Sequence, residues 1–242
     1  MVADSLVYHP SVNHYVRFVN TTVGRDKVLR FVQYLARFLS YYLLRKGYSA
    51  KALVPWNSIK SQFGMARKLM RMGKNVEHLK EAGRLAGTKN MDPVLRYTAI
   101  ARQLSYFTYL TLDSLHYLSV ANIYPLPSIT PTLSKWANKA WLSGITFSIL
   151  SGTYTLNQLS SRQARTNRLL GEGKVEEKRL EKEIFETRLQ MLSDACDWLI
   201  PAYTLGMVGG KGRFSIDEGA VGLAGIVSSL IGVRGQWRKT AQ

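Results

Sequence analysis

The chain has 242 residues, 33 of them Lys or Arg against 16 Asp or Glu, giving a formal charge of +17 alongside 46% hydrophobic content. Such an excess requires a polyanionic partner or surface, either nucleic acid or anionic lipid; long uncharged runs and the lack of any helix-turn-helix, zinc-finger or RNP signature exclude a typical nucleic-acid module. The one cysteine, Cys196, excludes an intrachain disulfide framework, and its neighbours Ala195, Trp198 and Leu199 suit a packed thiol.

The opening stretch MVADSLVYHP lacks a basic region followed by an apolar one, so no secretory signal is expected, and Val2 excludes N-myristoylation. The first strong helix is predicted from about Arg25 to Arg45. Val28, Phe31, Val32, Leu35, Phe38, Leu39, Tyr42 and Leu43 make a broad apolar face, Arg30, Gln33, Arg37 and Ser40 a narrow polar strip, and Gly47 the stop.

Pro55 is expected to open the next helix. From Trp56 to Glu81 the sequence WNSIKSQFGMARKLMRMGKNVEHLKE divides, at 3.6 residues per turn, into two faces. Trp56, Ile59, Phe63, Ala66, Met70 and Gly73 share one side, widened by Met65, Leu69, Met72, Val76 and Leu79. Lys60, Arg67, Arg71, Lys74 and His78 share the other, with Lys68 at its edge. A surface helix of a globular domain or a calmodulin-type target could show a similar split. The polar face is nearly all cationic, acids arriving only at Glu77 and Glu81, and that pattern fits a helix lying in the interface of an anionic phospholipid membrane.

Asp92-Pro93 is a cap and first-turn pair for a helix reaching about Asn122. Asp113 and His116, spaced i, i+3, are expected on an internal face of it. Breaks are expected at Tyr124-Pro125-Leu126-Pro127 and at Pro131. From Ala140 to Ser161 no residue is charged, and 22 residues at about 1.5 Å each would cross a hydrocarbon core of roughly 30 Å. Within it Ala140, Gly144, Ser148 and Gly152 form a small-residue stripe of period four. Arg162 to Arg188 begins basic, at Arg162, Arg165 and Arg168, and then mixes charges as EEKRLEKEIFE, which reads as a solvated helix. Leu189 to Leu205, holding Asp194, Asp197 and Pro201, reads as buried or interfacial. A second candidate span, GAVGLAGIVSSLIGV at 219–233, carries the stripe Ala220, Ala224, Ser228 and Gly232, with Arg234 and Trp237 as interface anchors. The two stripes are expected to pack helices together, within or between chains.

No strand alternation appears, so the predicted class is all-α: a basic region over 1–90 with amphipathic helices, then a membrane-associated helical region over 91–242. No catalytic chemistry is expected. GMVGGKGR at 206–213 is one residue short of a phosphate loop and follows Lys211 with Gly212, so it reads as a hinge. His9, His14, His78 and His116 lack metal-ligand spacing, and neither metal nor cofactor is expected.

Gly24-Arg25-Asp26-Lys27, followed by Arg30, Gln33-Tyr34 and Arg37, resembles the N-terminal signature of the peroxin-eleven family of peroxisomal membrane proteins. Arg67-Lys68-Leu69-Met70-Arg71-Met72-Gly73-Lys74 is similar to that family's amphipathic segment, and the whole chain looks most like the fungal members. The resemblance implies a non-enzymatic protein of the peroxisomal membrane. It implies homo-oligomers that elongate the organelle ahead of a dynamin-related fission machinery; that no nucleic acid is a partner is expected from the uncharged runs. Membrane bending would then fall to Lys60, Arg67, Lys68, Arg71 and Lys74, with Trp56, Phe63, Leu69 and Met70 inserted. The alternative, a pore for small metabolites, would draw on Asp113, His116, Ser143, Ser151 and Asn157.

Overall fold

The computed structural model describes residues 7–166, 173–209 and 216–241, and every regular element among them is an α-helix. They are α1 Pro10–Asn20, α2 Thr22–Arg45, α3 Ala50–Met70, α4 Asn75–Gly87, α5 Pro93–Val120, α6 Thr130–Thr166, α7 Gly173–Thr204 and α8 Glu218–Thr240. The class is all-α, as the lack of strand alternation predicts. Arg168 and residues 210–213 of the 206–213 segment lie outside the described residues.

The chain forms two compact units, one of Met1–Met70 with Gly210–Gln242, the other of Arg71–Gly209. The division between these units falls at Met70, and the last helix belongs with the first three. The reason lies on α2. Its polar strip needs partners from two sides, and α3 and α8 supply them.

In the first unit α2 is the central helix, packed on both α3 and α8. Thr21 joins α1 to α2 with one hydroxyl: it donates to Phe18 O at 2.8 Å and accepts from Gly24 N at 2.9 Å. Gly47 ends α2 as expected. Its φ of +77° lets Tyr48 N reach back to Leu43 O at 3.1 Å, closing the orphaned carbonyls of the last turn. Phe18, 2% exposed, packs against Trp237 near the end of α8.

In the second unit the helices stack in serial order, α4 on α5, α5 on α6 and α6 on α7. Asp92 caps α5 as its sequence predicts, accepting from Val94 N and Leu95 N, while its other oxygen accepts from Tyr154 at 3.0 Å and Gln158 at 3.3 Å of α6. Two small cores hold the stack, Tyr109, Leu110 and Ala137 between α5 and α6, and Leu159, Leu180 and Ile184 between α6 and α7.

Among the described residues no helix is long and apolar enough to cross a membrane, which overturns the spans expected at 140–161 and 219–233. Length fails at 219–233, whose 15 residues rise only about 22 Å. Apolarity fails at α6, which has 37 residues but is diluted by Ser, Thr, Asn157 and Gln158. Pro131 sits in the first turn of α6, where a missing N–H costs nothing, so it begins that helix and does not break it.

Candidate functional site

The stretch from Trp56 to Glu81 is not one helix. It ends as α3 at Met70 and resumes as α4 at Asn75, because Gly73 takes φ +81°, a left-handed conformation that glycine adopts without a Cβ clash. Pro55, expected at a helix start, lies inside α3.

Two of the cations predicted to meet lipid turn inward. Arg67, predicted to meet lipid, is 7% exposed. Its Nε donates to Asp26 Oδ1 at 2.9 Å and its Nη1 to Gln33 Oε1 at 2.7 Å, both on α2. Arg71 is drawn inward likewise. Its Nη2 donates to Asp113 Oδ2 at 3.1 Å and its Nη1 to Tyr109 Oη at 3.2 Å, with the guanidinium 5.8 Å from the Tyr109 ring. Neither arginine presents its guanidinium as an open headgroup contact, because a buried carboxylate without its cation would be far costlier than an exposed arginine. Lys60, Lys68 and Lys74 are partly exposed. Trp56, Phe63 and Met70, predicted to insert, are partly buried. Among the exposed residues of the stretch, beside Asn57, Ser58, Ser61, Gln62, Glu77 and Lys80, are four large apolar ones: Leu69 at 53%, Met72 at 38%, Val76 at 62% and Leu79 at 47% exposure. His78 is bound to Gln103 at 2.6 Å and stacked on Tyr106.

The small-residue stripes face partners inside their own units. On α6, Gly144 meets Ser105 and Tyr106 of α5, Gly152 meets Met191 of α7, and Ala140 packs on the Tyr109 core. Ser148 donates to Asp194 at 2.6 Å. On α8 the tight seam is offset from the predicted stripe. A Cβ on Gly219 would strike Tyr41, one on Gly222 the backbone of Phe38, and one on Gly225 the ring of Tyr34. Ser228 accepts from Arg30 at 3.1 Å, Ala224 is buried, Gly232 lies against Lys27, and Ala220 is exposed. The glycines admit bulky α2 side chains at close backbone approach.

Two clusters escaped the sequence reading. Arg37 pairs with Glu218 at 2.6 Å, and Tyr41 donates to Asp217, the α8 cap, which also accepts from Ala220 N. The Tyr41 hydroxyl bond, with the cap bonds and Arg45, holds the Asp217 carboxyl below its ordinary value. Asp194 is the opposite case. Burial pushes its carboxyl up, against the opposing hydrogen bonds from Ser148 and Gln190. Burial also raises the Cys196 thiol, keeping it protonated and weakly nucleophilic. The heptad spacing of Asp26, Arg30, Gln33, Arg37 and Ser40 was the signal that could have found the first cluster: a narrow polar line on an apolar helix is a seam.

Of the proposed pore residues, Asp113 is 6% exposed and paired with Arg71. Ser151 lines a groove of about 370 Å³ among α5, α6 and α7, with Thr98, Arg102, Thr155, Thr187 and Glu186 nearby. Thr98, Thr155 and Thr187 already donate to carbonyls of their own helices. Among the described residues no three His, Cys, Asp or Glu are placed to hold a metal.

Residues 12–237 match the sequence profile of Peroxisomal biogenesis factor 11 (PEX11). The chain belongs to this family. It is 30% identical to Peroxisomal membrane protein PMP27 of Saccharomyces cerevisiae, over 99% of this chain and 100% of that protein. It is 26% identical to Peroxisomal membrane protein PMP30B of Candida boidinii, over 99% of each, and 26% identical to Peroxisomal biogenesis factor 11 of Schizosaccharomyces pombe, over 95% and 96%. No solved structure matches. Membership of the PEX11 family places the chain at the peroxisomal membrane and is consistent with peroxisome proliferation.

Proposed function

We propose that this PEX11-family chain is a non-catalytic membrane-remodelling protein that enters one leaflet of an anionic membrane, expands it, and elongates the organelle ahead of fission. The observation that carries the reading lies in the second unit: Met72, Val76 and Leu79, leading into and along α4, are exposed while Arg71 is drawn inward to Asp113. Apolar side chains in that position gain free energy by entering acyl chains, and Lys60, Lys68 and Lys74 are partly exposed to meet headgroups. A shallow insertion adds area to one leaflet only, and many copies convert that area into positive curvature. Concentration into homo-oligomers and hand-over to a dynamin-related fission machinery complete the proposal, both resting on the family resemblance.

The test is the purified chain on vesicles of phosphatidylcholine with and without phosphatidylserine, imaged by electron microscopy. Tubules should form on the anionic vesicles only. Met72→Asp with Val76→Asp should leave the vesicles round. Normal tubulation by that double variant would remove the exposed apolar side chains of α4 and its lead-in from the mechanism.

A further inference from the structure

The first unit buries a polar seam beside its apolar core and leaves a line of apolar side chains outward. Along α2 the line Asp26, Arg30, Gln33, Arg37 and Ser40 is engaged with α3 and α8, through Arg67, Ser228, Glu218 and Asn57. Half a turn away, at the same spacing, run Val28, Val32, Leu35, Leu39 and Tyr42, all at least partly exposed, with Val28 at 38% and Tyr42 at 46%. On α8 the pattern repeats. Ser228 and Ser229 are 2% and 0% exposed, whereas Leu223, Val227 and Leu230 are 48%, 37% and 50% exposed. A helix built for water turns a charged strip of this kind outward. Glycine close approach and interhelical hydrogen bonds as the joint, with branched apolar side chains outward, is how helices pack when their solvent is hydrocarbon.

We infer that the outward faces of α2 and α8 form a second lipid-contacting surface, which embeds the first unit in the acyl layer of one leaflet. The inference rests on the membrane reading above but concerns different residues. The α2 line from Val28 to Tyr42 rises about 21 Å, too short to cross a bilayer of roughly 30 Å, so the helix lies within a leaflet. Exposed cations stand at the helix ends, Arg25, Arg45 and Lys46 on α2, Arg238 and Lys239 on α8, where anionic headgroups would meet them. They also favour lipid over a second copy, since pairing two such faces brings like charges together.

The experiment uses the full chain on a Cys196→Ala background, with a polarity-sensitive fluorophore on a single cysteine replacing Leu35, Leu39 or Val227, and separately Val76. Each is mixed with phosphatidylcholine/phosphatidylserine vesicles whose acyl chains are brominated, or with aqueous iodide. At 35, 39 and 227, emission quenched by bromine and spared by iodide is the expected result. Quenching by iodide there, with bromine quenching at 76, overturns this inference and leaves the remodelling reading standing. Bromine quenching at 35, 39 and 227 but not at 76 does the opposite. Protection from both quenchers at 35, 39 and 227 means a second copy covers the face and also overturns the inference. As a second measurement, Leu35→Ser and Leu39→Ser should each weaken vesicle partitioning about tenfold; unchanged partitioning counts against lipid contact.

Discussion

Replacing Arg67 by Met should damage the fold and leave lipid affinity nearly alone. The guanidinium bridges Asp26 at 2.9 Å and Gln33 at 2.7 Å, with side chains 9% exposed for Arg67 and 16% for Asp26. An exposed ion pair would be worth about 0–1 kcal/mol, whereas breaking a buried one costs about 3–5 kcal/mol, because the remaining charge is stranded. Asp26 keeps some water and other interactions, which places the loss near the lower end, about 3 kcal/mol. The lost bond to Gln33 adds about 1 kcal/mol. Against a typical folding free energy of about 5–15 kcal/mol, that is a large share. The assay is urea unfolding followed by circular dichroism in mild detergent, beside flotation with anionic vesicles. Adding Asp26→Asn to Arg67→Met should return much of the stability, since no carboxylate is then left unpaired. If Arg67→Met unfolds like the parent protein but floats poorly, Arg67 serves lipid, and the reasoning from the ion pair fails.

The converse variant, Lys60→Ala with Lys68→Ala and Lys74→Ala, should keep the unfolding midpoint and lose about 3 kcal/mol of attraction to an anionic surface, roughly a hundredfold in partitioning at low salt; salt-independent binding would argue against it. Gly222→Ala places a Cβ 3.0 Å from the Phe38 backbone and should destabilise by about 1–2 kcal/mol net of its gain in helix propensity. Gly235→Ala meets nothing within 4 Å and should stabilise by up to about 1 kcal/mol; equal effects at the two sites would show that the α2–α8 seam is not tight. Because burial raises the Asp194 carboxyl, its contribution to stability is present at low pH and lost as pH rises through the raised value. Asp194→Asn, whose amide can still bond Ser148, should therefore raise the melting temperature at neutral pH, with the gain vanishing in acid; a constant gain across pH contradicts this. Asp217 has the opposite sign. Its carboxyl is lowered chiefly by Tyr41, so its contribution holds at neutral pH and is lost as pH falls through the lowered value. Tyr41→Phe should move that acid-side loss to higher pH in a melting series.

Local chemistry was legible along the chain. The α2 periodicity and its Gly47 stop, the Asp92-Pro93 cap, and the charged, solvated character of α7 with its Arg179–Glu183 pair all follow from interactions within a few residues. The motifs around Gly24 and Arg67 carried the family. The interruption at Gly73 was harder to see, because a glycine inside a periodic pattern is compatible with both a helix and a turn. The candidate site was half legible: periodicity grouped Arg67 with Arg71 and Leu69 with Met72, but placed those two arginines outside with the lysines.

By itself, then, the sequence determined the helices, their caps and which residues share a face. Only the tertiary structure decided which face looks inward. Arg67 finds Asp26 at a separation of 41 residues, Arg71 finds Asp113 at 42, and Arg30 finds Ser228 at 198. A helical wheel ranks residues by angle and contains no term for partners so far along the chain. The rule that polar faces turn outward assumes that water is outside, and a polar strip that can satisfy its charges on neighbouring helices is free to turn in and leave the apolar strip to another solvent.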